Sequence, residues 1–233
     1  MVVALDVSTL DRARALASAV RESAAMIKVG LELYIEAGPQ SMALGAEFDL
    51  PVMLDLKLHD IPETVERAVA RGSSLGARLL TLHASGGAAM LRRAVARAER
   101  EGGTTEIAAV TVLTSFDAGD LSAQGIGGSV VDHVERLARI AWTEGVRTFV
   151  CSPHEAVVLR RVLGDGASLV TPGVRGASAP GQDDQKRTMS AADAVRSGAR
   201  WIVVGRPIRD APDPGLAARA IALEIAEASG SLA

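Results

Sequence analysis

The chain has 233 residues, 48% of them hydrophobic, and a formal net charge of −3. That length and apolar content suit one sizeable core and are ordinary for a single barrel domain spanning 1–233. The weakly acidic balance excludes the basic surface that nucleic acid or anionic lipid would need, and the single cysteine, Cys151, excludes an intrachain disulfide framework and fits a cytoplasmic protein.

Eight short apolar runs alternate with helical patterns along the chain. The predicted strands are Val2–Val7, Ala25–Val29, Val52–Leu58, Arg78–His83, Glu106–Leu113, Thr148–Ser152, Ser168–Val174 and Trp201–Val204. Between them lie stretches such as Leu91-Arg92-Arg93-Ala94-Val95-Ala96-Arg97-Ala98, whose apolar residues recur at helical spacing. Ser152-Pro153-His154-Glu155 reads as a capping box with proline at the first helical position. The mean repeat is about 29 residues, one βα unit each. Eight such units in series predict an α/β fold of the TIM (β/α)8 type, a closed parallel barrel. No strand–strand hairpin is expected. Two long loops, Ser115–Ser129 and Arg175–Thr188, fall on the expected carboxyl-terminal face, where long loops usually cover substrates. No apolar run is long enough to span a bilayer. The opening Met1-Val2-Val3-Ala4-Leu5-Asp6 lacks the charged segment and cleavage signature of a signal peptide.

The polar residues at the strand ends carry the chemistry. Asp55-Leu56-Lys57-Leu58-His59-Asp60-Ile61 follows the apolar run Leu50-Pro51-Val52-Met53-Leu54. On a strand, Asp55 and Lys57 point to the same side. Lys28, Asp55, Lys57 and Asp60 form a set of alternating charges that can neutralise one another in a partly dry cleft. Such a set suits stabilising a carbanion and then protonating it. Bland readings stand beside this one. Asp6 could cap the turn after strand one. Lys28 could be a surface lysine. Asp60-Ile61-Pro62-Glu63 reads as a helix N-cap with an acidic N3 residue. His59, His83 and His154 have no motif that makes them ligands, and Cys151 sits in an apolar strand. At the last strand, Gly205-Arg206-Pro207 offers close backbone approach and a guanidinium, and Arg175 follows the neighbouring strand. Loops after strands seven and eight are the usual phosphate site of these barrels. No metal motif and no Gly-x-Gly-x-x-Gly is present, so no cofactor and no metal are expected. A divalent ion at the Asp55/Asp60 pair stays open at this point.

Taken together, Asp55-x-Lys57-x-x-Asp60-Ile61-Pro62-x-Thr64 resembles the signature of the orotidine 5′-phosphate decarboxylase family. Ala4-Leu5-Asp6, Lys28-Val29-Gly30, His83-Ala84-Ser85-Gly86-Gly87, Thr114-Ser115, Asp184-Gln185-Lys186-Arg187 and Gly205-Arg206-Pro207 match the bacterial form of that family in order. The resemblance implies a homodimeric barrel that converts orotidine 5′-phosphate to uridine 5′-phosphate (UMP) and carbon dioxide, the last step of de novo pyrimidine synthesis. It implies Lys57 as proton donor to C6, with Asp55 holding it near the leaving carboxylate. Asp6 and Lys28 would bind ribose hydroxyls. Asp60 and Thr64 would reach into the neighbouring subunit's site. Thr114 would bond the pyrimidine edge, and Gln185, Arg206 and the Gly205 backbone would hold the phosphate with Arg175 nearby. Two other readings remain: a magnesium-dependent sugar-phosphate lyase or aldolase on the same scaffold, and a catalytically silent nucleotide-binding barrel.

Overall fold

A computed structural model describes residues 1–175 and 189–230. In chain order it contains β1 (Val2–Ala4), α1 (Leu10–Val20), β2 (Met26–Gly30), α2 (Leu31–Ala37), α3 (Ala43–Phe48), β3 (Val52–Leu58), α4 (Pro62–Ser74), β4 (Ala77–His83), α5 (Gly87–Arg100) and β5 (Glu106–Val110). There follow α6 (Ala118–Ala123), α7 (Val130–Thr143), β6 (Thr148–Val150), α8 (Pro153–Leu163), β7 (Ser168–Thr171), β8 (Val174–Arg175), β9 (Met189–Ser190), α9 (Ala191–Arg196), β10 (Trp201–Val204), α10 (Arg206–Arg209) and α11 (Pro214–Gly230). The strands β1 to β7 and β10 close into one barrel, all pairs parallel. This is the (β/α)8 barrel expected from the repeat.

The alternation of side chains along each strand sorts the core into two layers. Val2, Ala4, Met26, Met53, Leu79, Ala108, Val110, Val150, Val170 and Val203 form one cluster, which fills the barrel interior. Residues of opposite parity, such as Val3, Ile27, Leu54 and Leu80, pack outward against the helices. Helix α5 shows the sequence cause: its buried Met90, Leu91, Ala94 and Ala98 recur at helical spacing. Truncating a side chain such as Leu91 to Ala would cost about 2–5 kcal/mol.

Several boundaries differ from expectation. The first, fifth and seventh strands end at Ala4, Val110 and Thr171, short of Val7, Leu113 and Val174. Beyond β1 and β5 the chain stays close to its neighbours, with the Leu5 N–H donating to the Lys28 carbonyl at 2.9 Å and the Thr111 N–H to the Val150 carbonyl at 3.2 Å, but the ladder does not continue. Val174–Arg175 instead pairs in parallel with Met189–Ser190 as a separate two-stranded sheet. The segment 115–129 is not an irregular loop. It carries α6, whose start is fixed by Asp117 accepting from the Gly119 and Asp120 N–H groups. The 175–188 loop lies outside the described residues beyond Arg175. At α8 the expected capping contact is present, with the buried Glu155 carboxylate accepting from the Ser152 N–H at 2.9 Å. Among the described residues no helix is long and apolar enough to cross a membrane.

Candidate active site

Three strands carry their alternation one step past the apolar interior layer, and each delivers a polar side chain there. Met26 is followed at the same parity by Lys28, Met53 by Asp55 and Leu79 by Thr81; Asp6 lies two residues beyond Ala4, just past the end of β1. These residues therefore converge over the floor of the barrel at the carboxyl ends of its strands.

Their side chains form a continuous chain of charges. Lys28 Nζ donates to Asp6 Oδ1 at 2.8 Å and lies 3.4 Å from Asp55 Oδ2. Lys57 Nζ donates to Asp55 Oδ1 at 2.8 Å. The order is Asp6, Lys28, Asp55, Lys57, with signs alternating. Both central members are buried, Lys28 and Asp55 each with 8% exposure, whereas Lys57 and Asp6 are partly open to solvent. Burial works to raise the Asp55 pKa, but Lys28 and Lys57 outweigh it and, with the bonds from Lys57 and Thr81, hold it below the usual carboxylate range. Burial likewise works to lower the Lys28 pKa, and Asp55 and Asp6 outweigh it, so Lys28 is held above an ordinary lysine. The two buried groups keep each other charged.

Lys57 reaches Asp55 by an unusual backbone. Its φ is 50°, the left-handed region, inside β3. The register against β4 jumps from Leu54↔Leu80 to Leu58↔Leu82, so β3 bulges between those pairs. Sequence alternation anticipates that Asp55 and Lys57 meet; the bulge, which alternation alone does not reveal, is how they do so. The Lys57 N–H donates to Thr81 Oγ1 at 2.9 Å, and Thr81 Oγ1 donates to Asp55 Oδ1 at 2.9 Å.

The bland readings of three residues fail against this geometry. Asp6 does not cap α1, because Thr9 does so by accepting from the Arg12 N–H. Lys28 is not a surface lysine. Asp60 is not the N-cap of α4; that position is Ile61, and Asp60 Oδ1 accepts from the Ile61 N–H at 2.7 Å. Asp60 makes no ion pair with Lys28 or Lys57 of its own chain, and within that chain Asp6 stands at the other end of the charge set. The cause is that β3 ends at Leu58 and the chain then runs outward, leaving Asp60, Ile61 and Thr64 exposed.

The remaining candidates lie around the same rim. Thr114 is half-buried in the turn after β5. Gly205 precedes α10 as its N-cap, and a Cβ there would lie 3.8 Å from Asp6 Oδ2, so the β10 end abuts the charge chain. Arg206, the first residue of α10, is exposed. Arg175 lies in β8, while Gln185 lies outside the described residues.

Other site residues are less evident from sequence. Thr81 is fully buried within an apolar strand, and its parity with Leu79 is the signal that could have found it. At Gly30 an added Cβ would sit 2.8 Å from Asp6 Oδ1 and 2.9 Å from Lys28 Nζ, so only glycine leaves room for that ion pair. Arg209 donates to the Asp6 carbonyl at 3.0 Å, tying α10 to the end of β1. His83 packs against His59 with ring centroids 5.4 Å apart. Burial first, then His59 and Lys57, push the His83 pKa below its ordinary value and favour the neutral ring.

Such an arrangement places a charged amine beside a fixed carboxylate in a low-dielectric mouth, which suits stabilising negative charge and transferring a proton. Comparisons with known proteins agree on one family. The model of the "Orotidine 5'-phosphate decarboxylase / HUMPS family" matches residues 1–221. A protein of Anaeromyxobacter dehalogenans named orotidine 5′-phosphate decarboxylase is 51% identical over 219 residues, covering 94% of this chain and 95% of the relative. One of the same name from Thermobifida fusca is 46% identical over 230 residues, covering 98% and 97%. The crystal structure of orotidine 5′-phosphate decarboxylase from Lactobacillus acidophilus superposes with a TM-score of 0.85 at 32% identity, over 97% of this chain and 98% of that one. By sequence along nearly its whole length, and by structure, this chain belongs to the orotidine 5′-phosphate decarboxylase / HUMPS family.

Proposed function

We propose that the protein decarboxylates orotidine 5′-phosphate to UMP and carbon dioxide in pyrimidine biosynthesis, with Lys57 as the proton donor and no cofactor. The observation that carries this reading is the chain of alternating charges Asp6–Lys28–Asp55–Lys57, buried at its two central members, at the mouth of the barrel. The names of the relatives favour the decarboxylase over the other members of the family.

The chemistry explains why such a chain is useful. Breaking the bond between C6 and the carboxylate releases carbon dioxide and leaves an electron pair in the plane of the ring. No neighbouring carbonyl accepts that pair, so the protein must stabilise it electrostatically. Enzymatic accelerations of ~10⁶–10¹⁷-fold correspond to roughly 8–23 kcal/mol of barrier. A fixed ammonium at C6 supplies part of that, since it needs no reorganisation as charge develops. Lys57 then gives its proton to C6 and is reprotonated from solvent. Asp55 orients Lys57, and both of its oxygens already face ammonium groups. That donor set argues against a magnesium-dependent lyase, which would need those oxygens for the metal.

The outer residues take the rest of the substrate. Asp6 and Lys28 bind the ribose hydroxyls, and Thr114 bonds the pyrimidine edge. Arg206 and the Gly205 backbone hold the phosphate, with Gln185 as a further phosphate ligand and Arg175 nearby. The exposed Asp60 and Thr64 complete the site of a second copy in a homodimer. A single assay tests the reading: loss of orotidine 5′-phosphate absorbance on adding the protein, with and without chelator. Turnover in both conditions is expected. No turnover, or turnover abolished by exhaustive chelation, overturns it.

A further inference from the structure

We propose that Thr81 is a positioning residue for the reaction, holding the Asp55–Lys57 pair in register through its hydroxyl. The inference rests on the decarboxylase reading and goes beyond it, because Thr81 is fully buried and acts through Asp55 and Lys57.

Thr81 sits in the middle of β4 with no exposed surface, among Leu79, Leu80 and Leu82. A valine would fill that apolar strand equally well and would need no partner. The hydroxyl instead has a partner as donor and a partner as acceptor. It accepts from the Lys57 N–H at 2.9 Å and donates its one proton to Asp55 Oδ1 at 2.9 Å. Asp55 Oδ1 also accepts from Lys57 Nζ at 2.8 Å. A closed ring results: Lys57 backbone, Thr81 hydroxyl, Asp55 carboxylate, Lys57 ammonium.

The ring matters because Lys57 is in a backbone state that a lysine does not choose. At φ 50° inside a strand, it persists only where the surroundings over-determine it. The bulge removes the ladder partners that β4 would otherwise offer between Leu54 and Leu58. Thr81 replaces them, giving the Lys57 N–H an acceptor on the neighbouring strand. The same hydroxyl fixes the rotation of the Asp55 carboxylate, so Oδ1 faces Lys57 and Oδ2 faces Lys28. Without it, Asp55 could turn and Lys57 could relax toward ordinary strand geometry. A shift of about 1 Å in a reacting group can cost on the order of 100-fold in rate.

Thr81→Val and Thr81→Ser separate positioning from packing. Valine keeps the shape and loses the hydroxyl; serine keeps the hydroxyl and loses a methyl. We expect Thr81→Val to lower kcat by about 10- to 100-fold, with KM and UMP affinity within about threefold of wild type. Thr81→Ser should recover kcat to within about fivefold. If Thr81→Val does not fold, Thr81→Ala takes its place, with the same expected gap below serine. Equal activity of folded valine or alanine and serine variants, or greater activity of valine, overturns the proposal. So does a parallel loss of UMP binding, which marks general disruption of the site. The wild-type assay distinguishes the two levels: a wild type that does not turn over orotidine 5′-phosphate sinks the function, whereas an active wild type with an unimpaired Thr81→Val sinks only the role of Thr81.

Discussion

Lys28 on β2 and Asp55 on β3 approach each other across adjacent strands, with Nζ 3.4 Å from Oδ2, and for each the opposite charges outweigh the burial that works against ionisation. The Asp55 pKa is held below its ordinary 3.8, so its contribution to stability is full above about pH 4 and is lost as pH falls through the folded value. The Lys28 pKa is held above its ordinary 10.5, so its contribution is full below about pH 10 and is lost as pH rises through the folded value. Asp55→Asn should therefore destabilise the protein by about 1–3 kcal/mol at pH 7, less than breaking an isolated buried pair because Lys28 retains Asp6. Urea unfolding at several pH values checks this. The gap between wild type and variant should hold from about pH 5 to pH 9 and shrink below about pH 4. A gap that widens in acid contradicts the assignment.

Gly30→Ala should damage the site without unfolding the barrel. Its φ of −95° suits alanine, but the new Cβ would press on Asp6 Oδ1 and Lys28 Nζ. A fall in kcat/KM of about tenfold or more is expected, with a melting temperature within a few degrees of wild type. Unchanged kcat/KM would mean that the Asp6–Lys28 contact is dispensable.

Arg206→Ala should act through binding of the phosphate. KM for orotidine 5′-phosphate should rise by about 10- to 100-fold, as expected for loss of a bidentate phosphate contact. Activity toward orotidine without its phosphate should not change. An equal loss on both substrates would move Arg206 out of the phosphate site.

The sequence made the barrel legible because eight short apolar runs alternate with helical patterns and nearly every strand has a helix after it. It made Asp6, Lys28, Asp55 and Lys57 legible because charge at the end of a buried strand is costly unless used. Three things were hidden. The bulge that turns Lys57 to φ 50° depends on the register between β3 and β4, which no single strand encodes. Thr81 looks like one more β-branched strand residue until its partners on β3 are known. The capping pattern Asp60-Ile61-Pro62-Glu63 obeyed a local rule that the chain does not follow, because the direction in which β3 leaves the barrel sets the start of α4 at Pro62 with Ile61 before it.

Mixing two inactive variants tests whether sites are shared. Lys57→Ala and Asp60→Asn each lose activity alone on this account. In a heterodimer, one site pairs an intact Lys57 with an intact Asp60 from the other subunit. Random exchange should restore about one quarter of wild-type sites. No recovery despite demonstrated subunit exchange contradicts the shared site.

The most direct measurement of the central claim compares Lys57→Ala with wild type for turnover of orotidine 5′-phosphate and for UMP affinity in the same preparation. Lys57 as proton donor predicts turnover lost by at least about 10³-fold while UMP still binds within about tenfold of wild type. Full activity in the folded variant would contradict it.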